Sequence, residues 1–313
     1  MSNLKILVTC PPMLRRIDQY RHEFEQRNIE LITPAVVQVL TEDELIQLVP
    51  EVDGWIIGDD PASERVFTAG KSGKLKAAVK WGVGVDNVDF AACKKLELPI
   101  ANTPGMFGGE VADLAIAFLL GLARQSYFIH EEVKKGNWVK PSGVSVSGKT
   151  IAVVGLGDIG RSVIQRLSGF DVQIIGYDPF SVKSAEDLRI SQINSFPEGI
   201  EQADFIVLTC ALTPSSKHMI RRETLEVMKH GVRLINVARG GLIREEDLLV
   251  ALKSGTVAAA ALDVFEQEPL SPDNPLLLFP QCIFGSHNGS NTVEGVDRAT
   301  RRAMELMFGF LNV

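Results

Sequence analysis

Three residues in the second half of the chain have side chains suited to acid–base work on a small carboxylic acid. Arg239 in NVARGG, Glu268 in DVFEQEP and His287 in GSHNGS each follow a short apolar run. Such runs read as strands, and open α/β sheets place their ligand-facing groups at strand carboxyl ends. The planar fork of Arg donates two parallel hydrogen bonds to a carboxylate. His can take a proton from an alcohol near neutral pH and give it back. A carboxylate beside that His would fix its tautomer and stabilise the charged ring. Taken singly, each has a plainer reading. Arg239 is then a surface ion-pair former, Glu268 a solvated loop acid and His287 a satisfied structural histidine. Spacing alone does not show that Glu268 and His287 touch.

A second constellation lies upstream. Gly155-Leu156-Gly157-Asp158-Ile159-Gly160 follows the strand-like TIAVV and opens a helix with apolar Val163, Ile164 and Leu167. A second run, VQIIGY, then ends in an acid, Asp178, at the spacing of roughly 20 residues that dinucleotide-binding βαβ units use. The first glycine permits a tight turn, the second lets the backbone approach a pyrophosphate, and the third lets helix and strand pack closely. Unpaired N–H groups at the helix start favour the phosphates. Asp178 would accept from ribose hydroxyls and repel a ribose phosphate, which favours NAD over NADP. The plainer alternative is a tight strand–helix turn in some other α/β protein. Arg161 sits inside the helix, where a solvated or packing role suits it better than a phosphate contact.

Elements to position these residues are legible along the chain. Lys5–Thr9, Gly54–Ile57 and Ala77–Lys80 read as buried strands, with Glu42–Val49 as an amphipathic helix, so the N-terminal hundred residues alternate β and α. Pro99–Gly105 interrupts the pattern as a domain junction. From Glu110 to about Val133 one long helical stretch follows, its middle apolar on nearly every face, which predicts burial between domains or subunits. Gly136–Gly148 reads as a loop or arm. Further strands are expected at Asp204–Thr209, Arg233–Val237, Val257–Leu262 and Cys282–Phe284. Helices are expected at Glu223–Lys229, Arg244–Ser254 and from Asn291 to about Leu311.

Composition bounds the function classes. At 313 residues, 45% hydrophobic and 23% charged, the chain fits a globular protein of two domains and not a disordered one. A formal charge of −7 argues against coating nucleic acid or anionic lipid. The most apolar stretch, Leu114–Ala123, is about half of what a bilayer crossing needs, and the N-terminus lacks a secretory signal pattern. Cys10, Cys93, Cys210 and Cys282 are scattered, without disulfide or zinc spacing, so no metal is expected. Reduced thiols in a cytoplasmic core are the expectation. No GxSxG elbow, HExxH zinc motif or basic stripe is present.

The chain resembles the D-isomer-specific 2-hydroxyacid dehydrogenases over about residues 50–300, and most of all their phosphoglycerate dehydrogenase branch. The resemblance rests on Gly82-Val83-Gly84-Val85-Asp86-Asn87-Val88-Asp89, Asn102-Thr103-Pro104, the glycine motif, NVARGG, ALDVFEQEP and the His287 segment. It implies two Rossmann-like or flavodoxin-like α/β domains with mainly parallel sheets and a substrate cleft between them. Residues 1–100, completed by 288–313, would form the substrate domain, and 101–287 the NAD-binding domain. Arg239 would bind the substrate carboxylate and carbonyl, His287 would be the acid/base and Glu268 its orienting partner. Backbone N–H groups at Val83 and Gly84 would hold the substrate carboxylate. NAD would be held by Gly155, Gly157, Asp158, Ile159 and Gly160, by Asp178, and by Cys210, Leu212 and Thr213 beside the adenosine. Val237, Ala238, Arg239, Asp263, His287 and Gly289 would surround the nicotinamide, although Asp263 also reads as a capping or turn carboxylate. Lys80 stands where phosphoglycerate enzymes often carry a basic residue and could reach a substrate phosphate; an exposed strand-end lysine reads the same.

Three positions depart from the family pattern: Phe107 where many relatives have Asn, Asn288 where an apolar residue is usual, and Asp113 for a commoner Glu. The resemblance implies oxidation of D-3-phosphoglycerate, or else reduction of hydroxypyruvate, glyoxylate or another 2-keto acid. The expected partner is a small anionic substrate, with no nucleic acid or membrane, in a homodimer built on the long helix and the arm. A dinucleotide-sensing corepressor is the remote alternative; it would call for an exposed peptide-binding surface and long disordered tails, and no such tail is expected here. Ending at Val313, the chain is expected to carry no appended regulatory domain.

Overall fold

The apolar runs form the buried centres of two parallel sheets. The structure, a computed structural model, describes residues 3–180, 190 and 192–313, without the side chains of residues 192–194. It divides into two units, Met1–Met106 with Asn291–Val313, and Phe107–Ser290.

The first unit runs β1 (Leu4–Val8), α1 (Pro11–Leu14), α2 (Arg21–Glu25), β2 (Ile29–Ile32), α3 (Glu42–Leu48), β3 (Gly54–Ile57), α4 (Glu64–Ser72), β4 (Ala77–Lys80), α5 (Phe90–Lys95) and β5 (Ile100–Asn102). Its sheet order is β2-β1-β3-β4-β5 with every pairing parallel, the flavodoxin-like arrangement. Strands β3 and β4 are buried at every position. Parallel strands covered on both faces read as unbroken apolar runs for this reason. Thr41 caps α3 in a capping box with Glu44, a feature worth about 1 kcal/mol. Strands β2 and β5 and helices α1, α2, α4 and α5 are additions to the expected elements. Strand β5 lies inside the Pro99–Gly105 segment expected to be only a junction.

The second unit begins with α6 (Gly108–Arg124) and α7 (Ser126–Lys134). These replace the single long helix of the sequence reading, because Gln125 is left-handed at φ 53° and the axes bend by 69° there. Helix α6 buries Val111, Ala115, Phe118, Leu119 and Leu122. It packs within its own unit, against the last strands of the sheet and the helix after the glycine motif. Among the described residues no single helix is long and apolar enough to cross a membrane. The chain continues through β6 (Thr150–Val154), α8 (Asp158–Leu167), β7 (Gln173–Tyr177), β8 (Gln192–Asn194), β9 (Phe205–Leu208) and α9 (Arg222–Glu226). It ends in β10 (Val232–Asn236), α10 (Glu245–Ser254), β11 (Val257–Leu262) and β12 (Ile283–Phe284).

The order in this sheet is β12-β11-β10-β9-β6-β7-β8, again parallel throughout. Strand order reverses between β6 and β9. In open sheets that reversal leaves a crevice outside the strand ends, where ligands bind. The final helix, α11 (Val293–Leu311), returns to the first unit and packs on β3 and β4. It buries Val296, Ala299, Ala303 and Met307 at helical spacing and accepts the Trp81 indole N–H on Thr300 Oγ1 at 3.1 Å.

Candidate active site

The glycine motif lies at the β6–α8 turn, at the reversal point of the larger sheet. Gly155 has φ +97°, and a Cβ there would come within 2.6 Å of the Cys210 backbone. A Cβ on Gly160 would stand 1.9 Å from the Gly155 carbonyl oxygen, so only hydrogen lets α8 close on the loop. Around Gly157 nothing lies within 4 Å of a Cβ position. That open space, at the N-terminus of a ten-residue helix opened by Asp158 and Ile159, suits an approaching pyrophosphate. Asp158 itself lies against Gly108, where a Cβ would meet its carboxylate at 2.5 Å.

Asp178 follows β7 directly. Its Oδ2 accepts the Leu156 N–H at 2.8 Å and its Oδ1 the Phe180 N–H at 2.8 Å. Each carboxylate oxygen has a second lone pair with which to accept from a hydroxyl. The Arg161 Nε donates back to the Leu156 carbonyl at 2.9 Å, a local packing contact. Cys210, Leu212 and Thr213 form the loop after β9. Burial pushes the Cys210 thiol up to about 11, so it stays protonated at neutral pH. The Thr213 N–H donates to Ser216 Oγ at 2.8 Å, which folds the loop back on itself.

Glu268 and His287, 19 residues apart, meet: Glu268 Oε2 lies 2.7 Å from His287 Nδ1. The other oxygen, Oε1, accepts the Phe265 N–H at 2.9 Å, so the carboxylate is held at both ends. His287 sits at φ +53°, a sparsely populated region for a side chain of its size. Asp263 is buried at the end of β11 and holds that turn. Its carbonyl accepts the His287 N–H at 2.7 Å, its Oδ1 the Asn288 N–H at 3.0 Å and its Oδ2 the Gly289 N–H at 2.8 Å. Of the two sequence readings of Asp263, the structure displays the turn carboxylate.

Arg239 is set by a residue that sequence reasoning passed over. Asn236, fully buried at the end of β10, accepts the Ala238 N–H on Oδ1 at 3.1 Å and donates from Nδ2 to the Arg239 carbonyl at 2.9 Å. This amide bridge fixes a turn that buries Val237 and Ala238. Next in the chain, Gly240 packs on the segment that carries Glu268: a Cβ there would lie 1.9 Å from the Phe265 carbonyl. The Asn in NVARGG was the available signal, since Asn before a turn commonly bonds the backbone two residues on.

In the first unit the GVGVD loop is tied to the Asn-Thr-Pro segment. The Gly82 N–H donates to Thr103 Oγ1 at 2.8 Å, and Asn102 Nδ2 to the Val83 carbonyl at 3.2 Å. The neighbouring Gly84 completes the loop. Lys80 corrects the expectation of an exposed strand-end lysine. Its side chain is 2% exposed, and Nζ donates to the Gly58 carbonyl at 2.6 Å and to Asp59 Oδ1 at 2.9 Å. Burial comes with β4's place inside the sheet, between β3 and β5, and the acid on the β3 end neutralises the charge. Of the three departures, Phe107 is buried before α6. Asp113 pairs with Arg166 of α8 at 2.5 Å, and Asn288 contributes its N–H to Asp263. Among the described residues no cluster of three or more His, Cys, Asp and Glu is gathered for a metal.

Comparison with known proteins identifies the family of the chain. Residues 116–289 match the model of the D-isomer specific 2-hydroxyacid dehydrogenase NAD binding domain. The D-3-phosphoglycerate dehydrogenase of Methanocaldococcus jannaschii is 37% identical over 93% of the chain, but the chain spans only 54% of that relative's length. The hydroxypyruvate reductase of Thermotoga maritima is 36% identical over 88% of the chain and 90% of its own. Among solved structures, the NAD-dependent formate dehydrogenase of Staphylococcus aureus in complex with NAD superposes with a TM-score of 0.87 at 26% identity, covering 99% of this chain and 96% of its own. With a family model matched over more than half its length, this chain belongs to the D-isomer specific 2-hydroxyacid dehydrogenase family.

Proposed function

We propose that the protein is an NAD-dependent D-2-hydroxyacid dehydrogenase. The observation that carries this reading is the 2.7 Å Glu268–His287 contact, on a sheet whose reversal point bears a glycine loop suited to a dinucleotide. NAD, when bound, accepts or supplies the hydride. Arg239 binds and orients the carboxylate and carbonyl of the acid. His287, held at Nδ1 by Glu268, exchanges the proton of the substrate oxygen at Nε2, taking it in oxidation and returning it in reduction. Glu268 stabilises the ring while it is charged, and Asp263 keeps the His287 turn in its left-handed form. In the first unit, the turn at Val83 and Gly84 offers backbone N–H groups to an anion. The homodimer implied by the resemblance would cover the arm at Gly136–Gly148, where Trp138 is 80% exposed.

The favoured substrate is a short 2-keto acid without phosphate, such as hydroxypyruvate or glyoxylate. What supports this is the carboxyl end of β1, β3 and β4, where a flavodoxin-like sheet binds its ligands. Lys80 there is already engaged by Asp59 and Gly58. Asp60 adds a second carboxylate, fully buried and accepting from the Leu40 N–H, the Gly58 N–H and the Thr9 hydroxyl. A phosphate dianion approaching these strand ends would meet the partly exposed Asp59 and a lysine that this acid already neutralises. The second reading, oxidation of D-3-phosphoglycerate, is favoured by the identity to the M. jannaschii relative. A steady-state panel decides between them, with NADH and several 2-keto acids against NAD and D-3-phosphoglycerate. The expected outcome is a kcat/KM at least about tenfold higher for an unphosphorylated 2-keto acid, since a like-charge approach costs on the order of 1–4 kcal/mol. Faster turnover of phosphoglycerate would select the second reading, and no turnover of any acid would defeat both.

The same electrostatics bear on the cofactor. Asp178 places a carboxylate where NADP carries its ribose phosphate. NADH is expected to bind at least about tenfold more tightly than NADPH in calorimetric titration. Equal affinities would remove Asp178 from cofactor selection.

A further inference from the structure

Outside the Glu268–His287 pair, a second His–carboxylate contact lies in the same unit. His218, in the loop after β9, places Nε2 2.7 Å from Glu266 Oε1. The other oxygen of Glu266 accepts the Glu245 N–H at 3.0 Å, at the first turn of α10, and the Glu266 N–H donates to Glu245 Oε1 at 2.7 Å. Glu245 Oε2 also accepts from Asn274 Nδ2 at 3.2 Å. His218 is itself left-handed at φ +51°, with its N–H on the Gly241 carbonyl at 2.8 Å. Glu266 is therefore bonded to three separate segments: the loop after β9, the start of α10 and, through its own backbone, the turn that carries Glu268.

We infer that Glu266 is a positioning residue for the dehydrogenase reaction, joining the Cys210–His218 loop to the catalytic turn and holding Glu268 and Arg239 in register. The Phe265–Glu266 peptide is the surface on which Gly240 packs, next to Arg239. The preceding peptide N–H, that of Phe265, holds Glu268 Oε1. A shift of this one segment displaces both catalytic side chains at once. The side chains of His218 and Glu266 are 23% and 32% exposed, so by itself the contact adds little stability. What distinguishes it is its position between the two turns. Misplacement of about 1 Å by a residue away from the chemistry can cost 10²-fold in rate.

This inference rests on the dehydrogenase reading, so one measurement is independent of turnover. The imidazole N–H shared by His287 and Glu268 is followed by proton NMR on the protein, identified as the downfield resonance that His287→Gln removes. In Glu266→Ala that resonance is expected to weaken or vanish, and in Glu266→Gln to persist, because the amide can still accept from the Glu245 N–H and hydrogen-bond the His218 ring. With whichever 2-keto acid the native protein turns over, Glu266→Ala is expected to lower kcat about tenfold or more, with KM and NADH affinity within about twofold of native. Glu266→Gln is expected to keep at least half of the native kcat. An intact resonance with native kcat in Glu266→Ala would overturn the inference. So would a loss that Glu266→Gln shares, or one that falls equally on NADH affinity. If the native protein turns over no 2-hydroxy or 2-keto acid, the dehydrogenase reading fails, and the resonance alone decides whether Glu266 positions Glu268.

Discussion

Replacing His287 with alanine lowers kcat by a factor of about 10²–10⁴, the range contributed by a positioned general acid–base, while NADH still binds. The expectation follows from how the imidazole is held. Its Nδ1 is on Glu268, and its backbone is fixed in a left-handed turn by three hydrogen bonds to Asp263. Those three bonds come from backbone N–H groups, so removing the ring leaves the turn intact. The glycine loop and Asp178 stand on other strands of the sheet. Steady-state kinetics beside a calorimetric NADH titration separates the two effects. Unchanged turnover would remove His287 from the mechanism, and a matching loss of NADH affinity would make its role structural.

Gly240→Ala is expected to be as damaging to turnover without removing any reactive group. The added methyl would lie 1.9 Å from both the carbon and the oxygen of the Phe265 carbonyl and 2.5 Å from the Glu266 nitrogen. Backbone cannot rotate away as a side chain can, so the turn bearing Arg239 and the turn bearing Glu268 must move apart. Overpacking of this kind costs about 1–3 kcal/mol of stability, and a displacement of about 1 Å between catalytic groups costs on the order of 10²-fold in rate. A thermal melt and kcat measured together test this: a modest fall in Tm with a large fall in kcat is expected. Native kcat in Gly240→Ala would mean that the spacing of these two turns does not govern turnover.

Much of this could be read from residue order. Strands β3 and β4 are short, wholly buried and bounded by Gly, Asp or Lys, so their apolar runs stood out with the observed limits. The glycine motif was legible because each glycine answers a separate steric demand. Strand β2 was not, because Ile29–Ile32 carries Glu30 and follows a helix without a strong break. Strand β5 was hidden by Pro99 and Pro104, which mark turns wherever they occur. The α6–α7 bend depends on one left-handed Gln, a conformation that Gln seldom adopts and no pattern signals.

The site divides along the same line. Arg239, Glu268 and His287 were visible as reactive types after strands, whereas the Glu268–His287 contact depends on tertiary placement of two loops. Asn236, Glu266 and His218 read as ordinary turn or surface residues, because their roles lie in bonds to backbone groups of other segments. Lys80 shows the converse. Its charge invited a phosphate, and only the neighbouring Asp59 and its burial reveal that the ammonium is already engaged.

On the proposed function the chain reduces a 2-keto acid with NADH through a proton delivered by His287. A single-turnover experiment tests it most directly. Protein in excess is loaded with NADH and mixed with hydroxypyruvate or glyoxylate, and the loss of NADH absorbance is followed in the native protein beside His287→Ala. Rapid loss of one equivalent in the native protein, slowed at least about 10²-fold in the variant, is the expected result. NADH that persists in the native protein with every 2-keto acid offered, or that disappears equally fast in both proteins, would contradict the account.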